Sequence, residues 1–491
     1  MRFFIAMIPY ICMGMVAAYS QTEVCNNTLT GQVIDLHDQT PLSGATVILT
    51  GAEIAVLTDF DGYFTLKNLC EGDYTLQISH PECRTRAFEV SLEETMSRTF
   101  KLEHHLESLN EVIVSGRAFS TKTESLLNNY LDETSLERLS AGSLGDALRT
   151  LSGVSSLNTG NAIVKPVIHG LHSSRVSIIN NGVRMQDQEW GAEHAPNLDL
   201  NTAGRITVIK GAAALQYIGD AIGGVVISEP IKIPLQDTLF GKTIASTSTN
   251  GRGGSLTTSV FKGFDSGWFA QAQGTVKRFG DFEAPDYILS NTGFYERNAL
   301  ARLGLNKIEW GWEAQYSLYK NDIAILRASH LGGAEDLVNA IGSDRPLFIE
   351  PFTYAIGRPR QEVTHHIAKV SAFQQLQGVG KIELAYDFQS NRRFEFDIRR
   401  GDDANKASVD LRLNTHNVNI GLESEIGDWD FKTGATFNYQ NNFANPSTGI
   451  RRLIPDYDQY RLGGFLITNW SPSDRWSIEA GARFDHIYGR V

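Results

Sequence analysis

Residues 144–230 read LGDALRTLSGVSSLNTGNAIVKPVIHGLHSSRVSIINNGVRMQDQEWGAEHAPNLDLNTAGRITVIKGAAALQYIGDAIGGVVISEP. Short apolar runs alternate here with Gly- and Asn-rich turns. Val164–Ile168, Arg175–Ile179, Arg205–Ile209 and Gly224–Ile227 read as strands. Asn180-Asn181-Gly182 closes the second of them as a tight turn, because Asn and Gly tolerate positive φ. Leu144–Leu151 has helical spacing, with Ser143 as N-cap and Gly153 just past the end. Gly211, Gly219, Gly223 and Gly224 mark places where the chain turns or approaches other backbone.

The pattern changes after Pro230. Apolar and polar residues then alternate with period two as far as the C-terminus. Trp268, Ala270, Ala272, Gly274 and Val276 form one face against Gln271, Gln273 and Thr275. Ile382, Leu384, Tyr386 and Phe388 oppose Glu383, Asp387 and Gln389. Val409, Leu411 and Leu413 oppose Asp410, Arg412 and Asn414. Phe431, Thr433, Ala435, Phe437 and Tyr439 oppose Lys432, Thr436, Asn438 and Gln440, and Trp476 to Phe484 continue the series. Apolar out and polar in, with aromatics near strand ends, is the pattern of a transmembrane β-barrel. No internal stretch reaches the ~18 apolar residues of a spanning helix, so a membrane location requires a barrel.

The 491 residues allow two to four domains, and 42% apolar with 20% charged residues excludes a disordered chain. A net charge of −12 argues against nucleic-acid binding. Residues 1–20 read as a secretory signal peptide: one charge at Arg2, an apolar run, and small residues at Ala18 and Ser20. Cys25, Cys70 and Cys83 remain after cleavage, and export permits a disulfide between two of them. Cys70 and Cys83 flank the strand Tyr74–Ser79, and Cys25 with either is equally arguable. Residues 26–103 alternate six short strands with turns at Pro41–Gly44, Asp59–Gly62 and Cys70–Asp73, which suggests a β-sandwich. Asp59 and Asp61 read as turn residues closing a hairpin rather than as calcium ligands.

Three segments of the opening stretch resemble the plug domain of TonB-dependent outer-membrane receptors. His169-Gly170-Leu-His172-Ser-Ser-Arg175 with Val-Ser-Ile-Ile-Asn-Asn-Gly182-Val is similar to the family's RG-loop-R, strand, DG-V segment. Arg205-Ile-Thr-Val-Ile-Lys210-Gly211 is similar to its RIEVLRG, and Tyr217-Ile-Gly-Asp-Ala-Ile-Gly223-Gly224-Val-Val to its YGSxAIGGVI. His169 stands where Arg is usual, Thr207 for Glu, Lys210 for Arg, Ala212 for Pro and Ile218 for Gly. GQVID, PLSGATVIL, TDFDGYFTL and LCEGDYTLQISH resemble the carboxypeptidase regulatory-like (transthyretin-like) module. Leu109–Gly116, with Glu111, Val112, Ile113 and Val114 at its centre, is similar to the TonB box.

The resemblance implies a mainly β chain: an Ig/transthyretin-like β-sandwich over 26–103, a TonB-box-like linker over 104–119, an α/β plug over 120–232, and an antiparallel transmembrane β-barrel from 238. About ten barrel strands can be placed, where plugged transporters have ~22. Ten would enclose too narrow a lumen for the plug. The chain stops at Tyr488-Gly-Arg-Val491 without the family's usual terminal aromatic, so 238–491 is expected to be the N-terminal part of a truncated barrel. TonB is the implied periplasmic partner, adding to the 109–116 segment as a strand. Outer-membrane lipid is the surrounding medium.

No catalytic constellation, phosphate loop, GxSxG or HExxH occurs, and no cofactor is expected. The candidate binding cluster is His169, His172, Asp187, Glu189, Glu193 and His194, beside Trp190. Imidazole with carboxylate suits Zn²⁺ or Cu²⁺. The Glu193-His194-Ala195-Pro196 segment resembles receptors associated with zinc, copper or haem, so a metal ion or metal chelate is the expected ligand. His330, His365 and His366 lie in the barrel part, and one of the last two is expected to face inward. Siderophore, cobalamin or glycan uptake, or a surface adhesin or signalling role without transport, are the alternatives.

Overall fold

The computed structural model describes residues 25–36, 39–50, 54–80, 83–102, 129–186, 188, 190–191, 193–210, 212–217, 219–220, 222–234, 236–330, 333–399, 401–473 and 476–491. The signal-peptide reading, the segment Glu111–Val114, and Asp187, Glu189 and Gly211 fall outside these residues. The chain divides into two compact units, residues 1–113 and 114–491.

The first unit is a sandwich of two sheets. Its strands are β1 (Asn27–Asp35), β2 (Thr46–Thr50), β3 (Ile54–Leu57), β4 (Tyr63–Leu69), β5 (Gly72–His80), β6 (Cys83–Leu92) and β7 (Met96–Leu102). One sheet runs β4-β1-β7 and the other β3-β2-β5-β6. Alternate residues such as Val33, Val47, Leu49, Leu66, Leu76 and Ile78 fill the space between them. The tight turn before β4 is built by Asp59 rather than Asp61: its Oδ1 accepts from the backbone N–H of Asp61 (3.0 Å) and of Tyr63 (2.8 Å). β7 gave no clear signal in sequence, since only Phe100 and Leu102 of MSRTFKL turn strongly inward.

The open cysteine pairing resolves to Cys25–Cys70, across a separation of 45 residues, while Cys83 is buried 3.9 Å from His80 Nδ1. The bond ties the entry of β1 to the turn before β5. A loop of that length corresponds to about 3–4 kcal/mol of denatured-state restriction. Cys25→Ser with Cys70→Ser is therefore expected to lower this domain's stability by about that amount. Hydrogen exchange across β1 and β5 in the full chain measures it.

The second unit begins with β8 (Tyr130–Leu131), helices α1 (Glu133–Arg138) and α2 (Leu144–Leu148), and a hairpin of β9 (Val154–Gly160) and β10 (Ile163–Ile168). β11 (Val176–Asn180), β12 (Val183–Arg184), β13 (Ala203–Ile209) and β14 (Gly224–Pro230) complete it. The five-stranded sheet has the order β12-β11-β14-β13-β8. Ser143 caps α2 in a reciprocal box with Asp146, although α2 is shorter than its periodicity predicts. β14 is central, parallel to β11 and antiparallel to β13, and its run Gly224–Glu229 is buried throughout, as a strand covered on both faces must be. Asn181 (φ 46°) and Gly182 (φ 75°) form the expected two-residue hairpin turn. Gly224 has φ 125°, and a Cβ there would meet the Ile209 carbonyl at 2.9 Å, so both conformation and space demand glycine.

Eleven antiparallel strands follow in simple sequence order: β15 (Thr238–Ser248), β16 (Gly253–Gly263), β17 (Trp268–Phe279), β20 (Phe294–Asn306), β21 (Trp310–Ala324), β22 (Arg360–Leu376), β23 (Gly380–Phe396), β24 (Val409–Ile426), β25 (Trp429–Ala444), β26 (Tyr457–Ser473) and β27 (Trp476–Arg490). A small hairpin, β18 (Phe282–Ala284) with β19 (Tyr287–Leu289), and a helix α3 (Ala334–Ile341) lie in the connections. Among the described residues β15 and β27 are not paired with each other, so the sheet is an open, partial barrel. The turns at one end are short: 264–267, 307–309, 377–379 and 427–428. The connections at the other, apart from the four-residue turn 249–252, are long: 280–293, 325–359, 397–408 and 445–456. Short turns mark the periplasmic end of such barrels and long ones the external end.

The amphipathicity is inside-out. In β17, Gln271, Gln273, Thr275 and Lys277 are buried, while Ala272 and Val276 are exposed. Six of the seven tryptophans, at 268, 310, 312, 429, 470 and 476, gather at the short-turn end. Toward the other end Phe388, His416, Tyr439, Tyr460 and Tyr488 form a row of directly paired residues across five strands. From Trp429 to Tyr439 is ten residues of strand. At ~3.3 Å each and ~40° tilt, that is an apolar band ~25 Å tall, the thickness a membrane barrel needs. Leu384 lies in this band, half exposed. Leu384→Arg is expected to cost about 2–4 kcal/mol in lipid, measured by urea unfolding in bilayers.

One expected face is reversed. Leu411 and Leu413 point inward, and Arg412 and Asn414 outward. β24 runs on past the apolar band here, so the outer face meets headgroups and water and the inner face packs apolar residues.

Candidate functional site

The plug sheet lies against the inward polar face of the barrel strands, and its two ends are held differently. Near the short-turn end the Asn181 amide donates to Glu313 Oε1 (2.7 Å) and contacts Gln315, and Lys369 Nζ donates to the Asn181 carbonyl (2.7 Å). Arg302 donates to Glu313 at 2.8 Å, with both side chains almost fully buried. A second clamp sets Arg461 3.1 Å from Asp220 and aims Arg483 at the Leu215 carbonyl (3.2 Å).

At the external end two plug loops come together, 169–175 and 188–196. Lys165 on β10 joins them, donating to Ser173 Oγ (3.1 Å) and to the Gly191 carbonyl. The second loop is bonded to the barrel wall at three points. Gln188 Nε2 donates to Asn391 Oδ1 (3.0 Å), Gln361 Nε2 donates to the Glu193 carbonyl (3.0 Å), and His194 Nε2 meets Glu395 Oε1 at 2.7 Å. Trp190 is exposed at the tip, edge-on to His194 with centroids 4.5 Å apart.

The expected ligand residues separate into two kinds. His169 and His172 are exposed on their loop. His169 sits at φ 51° beside Gly170 (φ 79°) in a turn closed by reciprocal Ile168–Leu171 backbone bonds. His172 Nδ1 is 3.0 Å from Ser173 Oγ. His194, in contrast, is buried, and both its ring nitrogens are engaged. Nε2 meets the Glu395 carboxylate, while Nδ1 lies 2.7 Å from the Gln188 carbonyl and 3.2 Å from the Gly191 N–H. Burial pushes His194 below the ordinary histidine range, outweighing the Glu395 carboxylate that opposes it. Burial pushes the Glu193 carboxyl up; His330 opposes this and Glu395 and Asp397 add to it. Among the described residues no three His, Cys, Asp or Glu side chains converge closely enough to hold a metal ion.

Other motif residues act structurally. The Arg205 guanidinium lies 4.0 Å over the Tyr130 ring, clamping β8 to β13. The Arg175 carbonyl accepts from the Gly223 N–H at 2.9 Å. His365 faces inward and His366 outward, where Tyr316 Oη meets its Nδ1 at 2.8 Å. Glu395, Asn391 and Gln361 were not singled out from sequence. The signal was there in the period-two alternation, which puts all three on inward positions near the external end.

Two family models match the chain: the CarboxypepD_reg-like domain over residues 29–114 and the TonB-dependent Receptor Plug Domain over 125–225. The TonB-dependent transporter Oar of Myxococcus xanthus is 25% identical over 43% of this chain and 20% of its own length. The vitamin B12 transporter BtuB of Photobacterium profundum is 26% identical over 44% of this chain and 36% of its own. A structure of the Serratia marcescens hemophore receptor HasR, in complex with its hemophore and haem, superposes with TM-score 0.57 at 16% identity, over 73% of this chain and 51% of that one. The chain thus spans about a fifth to a third of these curated relatives and about half of the solved receptor. It has the fold of the TonB-dependent receptors, which are outer-membrane β-barrel proteins. More particularly, it carries their plug behind a carboxypeptidase-regulatory-like domain.

Proposed function

We propose that this chain serves as a TonB-dependent outer-membrane receptor that takes up a metal chelate, such as haem, a ferric siderophore or cobalamin. The observation that carries the reading is the plug seated on the inward face of the strands. Its 169–175 and 188–196 loops are presented at the external end, the second bonded to β22 and β23. A chelate is favoured over a bare ion on chemical grounds. A bare ion needs several convergent side-chain ligands, whereas a chelate brings its own and needs flat apolar contact with a few polar or axial groups. Exposed Trp190, His169 and His172 suit that task. Vitamin B12 transport by one relative and haem in one structural neighbour point the same way. Occupancy at the apex is transmitted through the plug, the 109–116 segment engages TonB by strand addition, and the plug rearranges to let ligand through.

The test uses receptor purified from outer membranes, beside a variant lacking 109–116. Calorimetry against haem, a ferric siderophore, cobalamin, Zn²⁺ and Cu²⁺ is expected to give saturable binding of one chelate in both proteins. Cells carrying the deletion lose uptake. Preference for free Zn²⁺ or Cu²⁺ would return the reading to a bare ion. Unchanged cellular function after the deletion would favour adhesion or signalling without transport.

A further inference from the structure

A cavity of about 50 Å³ lies between the plug and the wall, well away from the external loops. Arg184 on β12, Arg461 on β26 and Arg483 on β27 line it together with Gln216, Asn417 and Asn438. Among the described lining residues none is acidic. A single water needs ~10–15 Å³ of such space, so there is room for a few waters or one oxyanion group. The cavity is deep. Asn417 donates to Asp387 Oδ2 at 2.6 Å, and Asp387 lies eight residues along β23 from Glu395, the wall partner of His194. At ~3.3 Å per residue and ~40° tilt, that is ~20 Å nearer the short turns.

The charges around the cavity do not balance. Three guanidiniums answer to two carboxylates, Asp220 and Asp485, neither of which lines it. Asp485 is taken by Arg483, which donates to it from Nε and Nη2, each at 2.8 Å. The other Arg483 bonds go to the Leu215 and Gln216 carbonyls (3.2 and 3.3 Å) and to Thr436 Oγ1 (2.9 Å). Asp220, half exposed, is shared: Arg461 Nη1 stands at 3.1 Å and Arg184 Nη2 at 3.5 Å. Arg461 Nε is buried without a partner among the described residues. So is Gln216 Oε1, an acceptor on a side chain that is 1% exposed. Burial pushes the Arg184 guanidinium down to about 10; Asp220 opposes this, and Arg461 and Arg483 add to it. Arg184 stays cationic at neutral pH, and one positive charge of the three is left over. Guanidinium donors facing each other across such a space match the two or three oxygens of a carboxylate or phosphate. The Gln216 oxygen then accepts from a phosphate hydroxyl or from a water carried in with the anion.

We propose that this cavity is a luminal oxyanion site, in which Arg184 of the plug and Arg461 of the wall clasp one phosphate or carboxylate group. The group arrives either as a free anion or as a pendant acid of the cargo, since haem carries carboxylates and cobalamin a phosphodiester. Only the second source rests on the transport reading above. One guanidinium belongs to each side, so occupancy also ties plug to wall.

The probe is inorganic phosphate, titrated by calorimetry into receptor extracted from outer membranes in phosphate-free buffer. Wild type is expected to bind one equivalent and to gain hydrogen-exchange protection across residues 176–184. Arg184→Gln and Arg461→Gln are each expected to weaken binding roughly tenfold or more and to lose that gain. Arg451→Gln, on the exposed 445–456 connection, keeps both. Gln216→Glu removes no cation but sets a carboxylate in the cavity. It is expected to abolish phosphate binding, and it gives the reading if an arginine variant fails to reach the membrane. No saturable binding in wild type, or equal affinity in wild type and Arg184→Gln, overturns the proposal. Cells separate the two sources. Uptake that falls in Arg184→Gln, with chelate affinity at the apex retained, identifies the cargo; uptake at the wild-type level identifies a free anion. Phosphate binding in a receptor that takes up no chelate would sink the transport reading and leave this site standing.

Discussion

Glu313→Ala is expected to destabilise the plug-bearing unit by about 3–5 kcal/mol, the largest single-residue effect anticipated here. Glu313 is almost fully buried between Arg302 and the Asn181 amide, with Lys369 reaching the same turn. Removing the acid leaves two buried cations with only neutral acceptors: Gln271 and the Ile231 carbonyl for Arg302, and the Asn181 carbonyl for Lys369. The penalty comes from buried positive charge left without a counter-charge. Glu313→Gln keeps an acceptor for Arg302 and is expected to cost less. Asn181→Ala removes two donated bonds without stranding a charge, so about 1–3 kcal/mol is expected. Urea denaturation of the membrane-extracted protein, followed by hydrogen exchange of β11 and β12, ranks the three. Equal effects for Glu313→Ala and Asn181→Ala would show that the buried cations are solvated in the native protein.

The second prediction concerns pH. His194 is held below the ordinary histidine range by burial. The open or unfolded loop therefore binds a proton more readily than the closed one. Closure is unaffected well above pH ~6.5, and weakens as pH falls from there toward the lower pKa of the closed form. Hydrogen-exchange protection of residues 188–199, taken relative to the intrinsic rate at each pH, is expected to fall over that window. His194→Gln should flatten the dependence, since no group then titrates at that position. His194→Ala should open the loop at every pH, because Glu395, Gln188 and Gly191 lose a shared partner at a cost of about 1–3 kcal/mol. Glu193, whose carboxyl is pushed up, has the opposite sign and favours closure as pH falls, so an acid-driven opening that survives in His194→Gln would overturn the assignment to His194.

The architecture was legible where the physics is local. Asn181-Gly182 declares its turn because positive φ restricts residue type, and Ser143 declares the start of α2 because its side chain satisfies a free helix N–H. Period-two alternation declares the barrel, because lipid outside and polar plug inside act on every second residue. It misleads at Leu411 and Leu413, where the strand leaves the membrane and the same alternation carries the opposite meaning. The site was half legible. A cluster of His and acid pointed to the two loops that come together at the external end, but the partner of His194 is Glu395, 201 residues away. Pairing at that range leaves no trace in local pattern. The same holds for Cys25 and Cys70, equally arguable with Cys83 until β1 was placed beside the β4–β5 turn.

The seam between plug and wall is written largely in amides and carbonyls. Gln389 bonds the Arg184 carbonyl and the Gln186 N–H, Lys277 the Gly142 carbonyl, and Glu479 the Ala213 N–H. The plug's interior is instead a continuous apolar core, mostly of Leu, Ile and Val, which the wall joins at Ile367. A hydrogen bond to the wall can be traded for one to water at a net cost of about 1 kcal/mol, one bond at a time. An apolar core yields only when much of its surface is wetted together. Under traction the two respond differently: the singly bonded parts of the seam yield by stepwise exchange, while the buried Glu313 cluster and the apolar core yield only as units. Load applied at the plug's N-terminal end is thus expected to slip the seam before it cracks the core.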